Sequence, residues 1–211
     1  MDIIEKLKPF APKVYIGFEV RDRRGKVIHK RRERGHSWVK NYYKILVAHA
    51  GFVPNNSDMD LRLRATNGNW IGTSDVWSIW NLDEDWVGGY GEAGKGIVIG
   101  TGTTPVTLDD YKLEAKISHG TGAGQMVYKE QSPHQHETTA SGWRTIMERH
   151  FENQSGNSIY IGETGVQGKV GTPGTAYCCV LVCRNVHDPA VEVPDSGILT
   201  VTYTIEVTQP W

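Results

Sequence analysis

The segment Leu199–Val207, LTVTYTIEV, is the clearest strand in this sequence and decides the fold class. Apolar side chains occupy every second position, with threonine or glutamate between them, so one side of the strand is buried and the other faces solvent. A second alternating run, WRTIMERHF at Trp143–Phe151, comes earlier, and turn residues follow both runs or lie between them. Short strands at this spacing, joined by Gly and Pro turns, predict an antiparallel β-sandwich.

The N-terminal half adds a hairpin and a helix to this pattern. Residues 14–20, VYIGFEV, alternate in the same way, and the turn Asp22–Gly25 leads into a returning strand. Apolar residues at helical spacing then predict a helix over residues 37–50, with Ser37 as its N-cap. The predicted fold is mainly β, an antiparallel β-sandwich of the jelly-roll or immunoglobulin-like type, with one α-helix in its N-terminal half and a long irregular insertion. Residues 1–13 are predicted to form an extended arm, residues 14–211 a single domain, and residues 53–95 the insertion.

The Gly-rich stretch Gly96–Gln125, GIVIGTGTTPVTLDDYKLEAKISHGTGAGQ, is predicted to be the framework of the sandwich. It begins with a short apolar strand and contains two Gly-rich turns, interpreted as the ends of a strand pair. It lacks the Gly-Lys-Ser/Thr of a phosphate-binding loop. The adjacent Asp109 and Asp110 are predicted to be solvated. Ala176–Cys183 is nearly all apolar and is predicted to be a central strand buried on both faces.

The net charge of −1 hides a strong asymmetry along the chain. Residues 1–50 carry 13 Lys and Arg against 5 Asp and Glu, whereas residues 51–211 carry 10 against 19. Such a division predicts a basic surface that meets an acidic partner, although an ordinary solvated hairpin face is an equally good interpretation. The candidate interface cations are Arg21, Arg23, Arg24, Lys30, Arg31, Arg32 and Arg34.

Tryptophan supplies the second candidate interface. Four of the seven Trp residues fall between positions 70 and 86, interleaved with acidic residues. Tryptophan is enriched at protein interfaces, so the insertion is predicted to fold over the core or to dock on a neighbour. A carbohydrate-binding platform is the alternative. The candidate residues are Trp70, Trp77, Trp80 and Trp86, together with Trp211 in the C-terminal tail.

The sequence contains no convincing catalytic or metal-binding motif. His134 and His136, with His119 or His150, form the best metal candidate, but they lack an acidic or Cys ligand at site-like spacing. The three cysteines, Cys178, Cys179 and Cys183, are interpreted as structural buried thiols, with an intersubunit disulfide as the alternative. Catalytic residues, metal ligands and cofactors are therefore not predicted, and neither is an enzyme. No apolar run reaches the roughly 18 residues of a membrane span, so a membrane partner is not expected either.

Several motifs together resemble a known group of proteins. They are the Gly96–Gln125 block, the strand and turn at 149–156 (RHFENQSG), the strand at 159–166 (IYIGETGV), and the C-terminal segments with Arg184-Asn185-Val186, the turn at 193–197 and Leu199–Val207. This set, with the N-terminal hairpin and residues 37–42 (SWVKNY), resembles structural proteins of tailed bacteriophages and related prophages. The resemblance covers about three quarters of the chain and skips residues 53–88.

The resemblance implies a β-sandwich virion subunit without catalysis, present in many copies and assembled in the host cytoplasm. Its expected partners are other virion proteins of the capsid, neck or tail, and a homo-oligomer is expected. Capsid decoration, neck and tail accessory positions all remain open. The alternative is a carbohydrate- or receptor-binding module of the virion that uses the Trp-rich segment, while nucleic acid is an unlikely partner.

Overall fold

The computed structural model describes residues 11–35, 38–49, 62–71, 86–170 and 178–208 of the 211-residue chain. These ranges form eleven strands and one helix, and no described helix is long and apolar enough to cross a membrane. In chain order the elements are β1 (Lys13–Arg21), β2 (Val27–Gly35), α1 (Lys40–His49), β3 (Leu63–Arg64), β4 (Trp70–Ile71), β5 (Gly96–Gly100), β6 (Val127–Tyr128), β7 (Gln135–Thr139), β8 (Gly142–Glu152), β9 (Ile159–Val170), β10 (Cys178–Val193) and β11 (Ile198–Thr208).

The strands form two main sheets that enclose one core. The larger sheet has the order β2-β1-β11-β8-β6, with β7 also paired to β8, and the smaller sheet has the order β10-β9-β5. All pairings within them are antiparallel, and buried residues of both sheets belong to one apolar cluster. The predicted mainly-β sandwich with one helix is therefore confirmed.

The alternation in the sequence matches the two faces of the larger sheet. In β1 the buried side chains are Val14, Ile16, Phe18 and Val20, and the residues between them are partly or fully exposed. Strand β11 pairs with β1 on one side and with β8 on the other, so it lies at the centre of this sheet. The segment that decided the fold class is the strand around which the larger sheet is built.

Strand β10 differs from its prediction. It is buried on both faces near Val180 and Leu181, but the central strand of the smaller sheet is β9. The free edge of β10 is covered by isolated bridges from Trp38 and Ala65, and α1 contacts this strand. A continuous apolar run indicates burial of both faces but does not show which strands lie at the two edges. The run therefore predicted the burial of β10 and not its place in the sheet.

The helix begins later than predicted. Its first residue is Lys40, and the N–H of Val39 still donates to the carbonyl of Val182, 3.1 Å away, as a strand residue does. Ser37, the predicted N-cap, lies outside the described residues. Leu46 is exposed, whereas Tyr43, Ile45 and Val47 are buried.

The Gly-rich stretch is only partly as predicted. Its apolar start is β5, but between residues 101 and 125 the chain makes isolated bridges, Gly100 with Lys116 and His119 with Met126, and no strand. The strand pair expected between its two turns is therefore absent from this described segment. Polar contacts to buried side chains hold the segment instead, as shown below.

Trp86 is part of the core rather than of an exposed insertion. Its side chain is 7% exposed, and its ring lies against the α-carbon of Gly168 in β9. A Cβ at position 168 would lie 2.4 Å from the carbon atoms of the indole ring. The absence of a side chain at this position in the sheet makes room for the tryptophan. Of the two predicted roles of the insertion, Trp86 therefore folds over the core and does not serve as an exposed docking residue.

We expect Gly168→Ala to destabilise the protein by about 1–3 kcal/mol, because the added methyl group overlaps a rigid aromatic ring. The matched control is Gly17→Ala in β1, where the nearest atom to an added Cβ lies at an ordinary 3.6 Å. Urea unfolding of both variants measures the difference. Equal stability of the two variants would contradict the packing of Trp86 on Gly168.

Candidate functional site

The basic hairpin brings three of the predicted cations onto one face. Strands β1 and β2 pair so that Lys30 lies opposite Glu19, Arg32 opposite Gly17, and Arg34 opposite Tyr15. The β1 residues in these pairs alternate with the buried side chains, so all three cations project from the outer face of the larger sheet. We call Lys30, Arg32 and Arg34 the cationic face. It lies on β2, which is the outermost strand of this sheet.

One carboxylate serves this face. Glu19 binds Lys30 at 3.0 Å and Arg21 at 2.5 Å. Hydrogen bonds from Lys30 and Arg21, with the charges of both, hold the pKa of Glu19 below its usual value. Arg32 lies over the ring of Tyr15, 4.5 Å from its centroid, and pairs with no carboxylate among the described residues. The face therefore keeps an excess of positive charge.

Arg31 is a correction to the predicted interface. It lies opposite Phe18 and faces the core side of β2, where its guanidinium donates to the carbonyl of Pro189 at 2.7 Å. The same group lies 3.1 Å from the carboxylate of Glu33. The strict alternation of β2 sends Arg31 to the side opposite its neighbours Lys30 and Arg32, so it stabilises the hairpin against β10.

Arg23 and Arg24 are exposed, but they occupy the hairpin turn rather than the cationic face. The carboxylate of Asp22 accepts hydrogen bonds from the backbone N–H groups of Arg24, at 2.8 Å, and Lys26, at 3.0 Å. Gly25 has a φ of +78°, which a turn of this kind requires and which glycine adopts without strain. The turn is as predicted, and its cations form a separate group at the tip of the hairpin.

Of the predicted Trp residues, Trp70 alone is exposed in the part of the chain that the structure describes between positions 62 and 90. It is 54% exposed in β4, and the guanidinium of Arg64 lies 5.8 Å from its ring centroid and 3.7 Å from that of Tyr111. Trp77, Trp80 and Trp211 lie outside the described residues. Sequence patterns could not identify Arg64 and Tyr111 as neighbours, because they come from segments 47 positions apart.

The most extensive buried charge cluster surrounds Arg184 in β10. Its guanidinium lies 2.8 Å from the carboxylates of both Asp110 and Glu163 and 3.6 Å from that of Glu114. Burial opposes the charge of Arg184, but the hydrogen bonds to Asp110 and Glu163 outweigh it and raise the pKa. Asp110 is thus an ion-pair partner, which corrects its prediction as solvated, whereas Asp109 is exposed as predicted and pairs with Lys40.

This cluster fixes the segment after β5. Glu163 accepts hydrogen bonds from the backbone N–H groups of Glu114, at 3.1 Å, and Ala115, at 2.7 Å. Glu114 in turn accepts from the N–H groups of Thr103 and Thr104, both at 2.9 Å. The carboxylate oxygens of Glu163 and Glu114 accept hydrogen bonds from backbone groups of the protein itself. The cluster therefore stabilises the loop that follows β5.

A second buried network has the composition of a hydrolase triad. Glu33 accepts a hydrogen bond from Nδ1 of His187, whose Nε2 lies 3.0 Å from Oγ1 of Thr164. A carboxylate, an imidazole and a hydroxyl in this order can activate a nucleophile. Here Thr164 is fully buried, and its hydroxyl lies 2.6 Å from that of Tyr203. The hydroxyl faces the core between the sheets, and the network joins β2, β9, β10 and β11.

Of the other candidate groups, two histidines and one cysteine have partners within the protein, while Cys179, predicted as a buried thiol, is only partly buried. His136 contacts Thr145 and His150 contacts Thr200, and the described residues contain no group of three or more His, Cys, Asp or Glu placed to hold a metal ion. Cys183 is a free, fully buried thiol, and burial raises its pKa to about 12 despite a hydrogen bond from Asn185. Such a thiol is inert at neutral pH.

Arg149 in β8 is buried, and no carboxylate of the described residues forms an ion pair with it. Its guanidinium donates to five backbone carbonyls at 2.8–3.0 Å, and burial lowers its pKa to about 10, so it stays charged at neutral pH. These carbonyls join the segment before β5, β5 itself and the segment after β6. They belong to Gly89, Glu92, Lys95, Ile97 and Lys129.

Comparison with protein-family models, with curated proteins and with solved structures gave no match to this chain. In the described part of the chain, the geometry leaves two exposed surfaces as candidate sites. They are the cationic face on β2 and the surface around Trp70. The buried polar groups described above stabilise the fold.

We expect the stability contribution of Glu33 to depend on pH. Burial opposes its ionisation, but the hydrogen bond and charge of His187 and the charge of Arg31 outweigh it, so its pKa lies below the usual value. Its contribution is therefore complete above the unfolded pKa of about 4.3 and is lost as the pH falls through the folded pKa. Glu33→Gln should cost about 1–3 kcal/mol at pH 7.

The measurement is urea unfolding of the wild type and the variant between pH 7 and pH 3, and the difference in unfolding free energy should shrink as the pH falls. Glu137→Gln is the matched control, because its ion pair with Arg144 is exposed and contributes little. A Glu33→Gln difference that stays constant over this pH range would contradict the assignment.

We expect Arg149→Lys to be destabilised by about 2 kcal/mol or more and Arg149→Met by more than that, since each unsatisfied buried carbonyl costs about 1 kcal/mol or more. An ammonium group has three donors and cannot serve five carbonyls. Arg144→Lys, in an exposed ion pair, is the control and should change stability by less than about 1 kcal/mol. Wild-type stability of Arg149→Lys in thermal or urea unfolding would refute this role.

Proposed function

We propose that this chain is a non-enzymatic structural subunit of a tailed-bacteriophage virion, which docks on neighbouring capsid, neck or tail subunits. The cationic face carries the proposal. Lys30, Arg32 and Arg34 project from the outermost strand of the larger sheet, and Glu19 is the one described carboxylate that pairs with this face. An excess of charge at an exposed strand is complementary to an acidic protein surface and favours docking there.

The resemblance to phage structural proteins supports the location in a virion. The roles of the buried polar groups support a structural subunit, because Arg149, Glu163 and Arg184 hold loops and the Glu33–His187 network joins strands. A subunit that works in an assembly is expected in several copies, in contact with its neighbours.

A second candidate is a carbohydrate- or receptor-binding module of the virion. One observation favours it, the exposed ring of Trp70 beside Arg64 and Lys44, since sugars stack on exposed aromatic rings. The burial of Trp86 removes one ring from the platform that the sequence predicted. The docking subunit is therefore the better-supported proposal.

We expect the chain to be present in several copies in virions purified by density gradient at low salt, as measured by quantitative mass spectrometry. Washing at about 1 M salt, where charges act over only about 3 Å, should release part of it. A sucrose wash of equal osmolarity is the control. Absence of the chain from virions washed at low salt would contradict the proposal. A glycan-array signal from the isolated subunit that is lost in Trp70→Ala would favour the second candidate.

A further inference from the structure

The outermost strand of the larger sheet has one free edge. Strand β2 runs for nine residues, Val27–Gly35, and pairs with β1, while no strand of the described residues pairs with its other side. Every second residue of such a strand directs its N–H and C=O away from the sheet. At the start of the strand, Ile28 is 48% and Val27 38% exposed. The edge thus offers a row of backbone donors and acceptors with exposed apolar side chains.

We propose that this edge binds an extended, acidic strand of a partner protein, which adds to the larger sheet beside β2. The inference rests on the proposed function, because it names the partner chemistry of the same cationic face. Strand addition uses main-chain hydrogen bonds for affinity and alternate side chains for specificity.

The spacing of the cations fits a strand. Lys30, Arg32 and Arg34 lie two residues apart, so neighbouring side chains are separated by about 7 Å along the outer face. Acidic side chains at every second position of an added strand would lie beside them at the same interval. Opposite charges on neighbouring strands stabilise pairing, and like charges destabilise it.

The same charges disfavour a second copy of β2 as the occupant. If two β2 strands paired about a two-fold axis at Arg31, Lys30 of each copy would lie opposite Arg32 of the other. If the axis passed at Arg32, Lys30 would lie opposite Arg34. Both registers bring cations close together, and this repulsion disfavours pairing of β2 with itself. An acidic strand would meet the cations with opposite charge.

A peptide strand fits this surface better than single-stranded nucleic acid. Sequence-tolerant binding of single strands needs open aromatic rings on which bases stack. Tyr15, the ring next to the cations, is covered by the guanidinium of Arg32 at 4.5 Å. A nucleic acid backbone would also leave the carbonyls of the β2 edge without donors, whereas a peptide supplies both donors and acceptors.

The experiment uses the purified full chain and a fluorescein-labelled nine-residue peptide of alternating glutamate and valine with blocked ends. Fluorescence anisotropy measures its binding. A peptide with lysine in place of glutamate tests the charge. A glutamate peptide with N-methyl groups on alternate amides, in two versions that cover both registers, tests the main-chain hydrogen bonds. A single-stranded oligothymidylate tests the nucleic-acid alternative.

We expect the glutamate peptide to bind, the lysine peptide not to bind, and one N-methylated version to bind at least about tenfold more weakly. The triple variant K30Q/R32Q/R34Q should weaken binding by a similar factor. The matched control R23Q/R24Q/K26Q removes the same charge at the hairpin turn and should bind as the wild type does.

Equal weakening by the two triple variants would overturn the proposal. Full binding of both N-methylated peptides, or of the lysine peptide, would also overturn it. So would binding of the oligothymidylate that is tighter than that of the glutamate peptide. The peptide comparisons use the wild-type chain and so hold even if a variant does not fold. Failure of all peptides to bind would refute the strand partner while the mass spectrometry of virions still tests the proposed function by itself. Conversely, peptide binding by a chain that is absent from virions would leave the edge assignment standing.

Discussion

The buried ion pair between Arg184 and Glu163 is the interaction on which the rest of the sandwich depends. Burying two charges is costly, and a low-dielectric interior compensates only when the geometry is good and the remaining polar atoms find partners. Both conditions hold, because Asp110 also binds the guanidinium and the amides of Glu114 and Ala115 bind the carboxylate. Through this pair, a segment that makes no strand between residues 101 and 125 is attached to β9 and β10.

The sequence predicted those features that a local pattern encodes. The alternation of Leu199–Val207 identified β11 and the buried positions of Leu199, Val201 and Tyr203, although Val207 at the end of the run is exposed. The Asp22 turn was equally clear. Features that depend on distant partners were missed. Asp110 lies in a turn-like sequence that reads as solvated, and its partner Arg184 comes 74 positions later. Trp86 reads as an exposed aromatic until Gly168 in β9 provides space for its ring.

In the candidate site, too, a local pattern predicts some features, while others depend on pairing with a distant segment. Alternation in β2 is enough to place Lys30, Arg32 and Arg34 on one face and Arg31 on the other. Which of these two faces meets the core depends on the pairing register with β1, which a local pattern leaves undetermined.

The two faces of β2 have different roles. One attaches the strand to the rest of the sandwich, and the other carries the cationic face. On the core side, Arg31 binds the Pro189 carbonyl and Glu33 binds His187, so alternate residues attach the strand to β10. On the outer side, the cationic face is held at fixed spacing by the same backbone. A binding strand that is already ordered loses little conformational entropy when a partner arrives, which leaves more of the contact energy for affinity. The buried Glu33–His187 network therefore helps to hold the proposed docking strand in place, although it lies on the face of β2 that a docked partner would not touch.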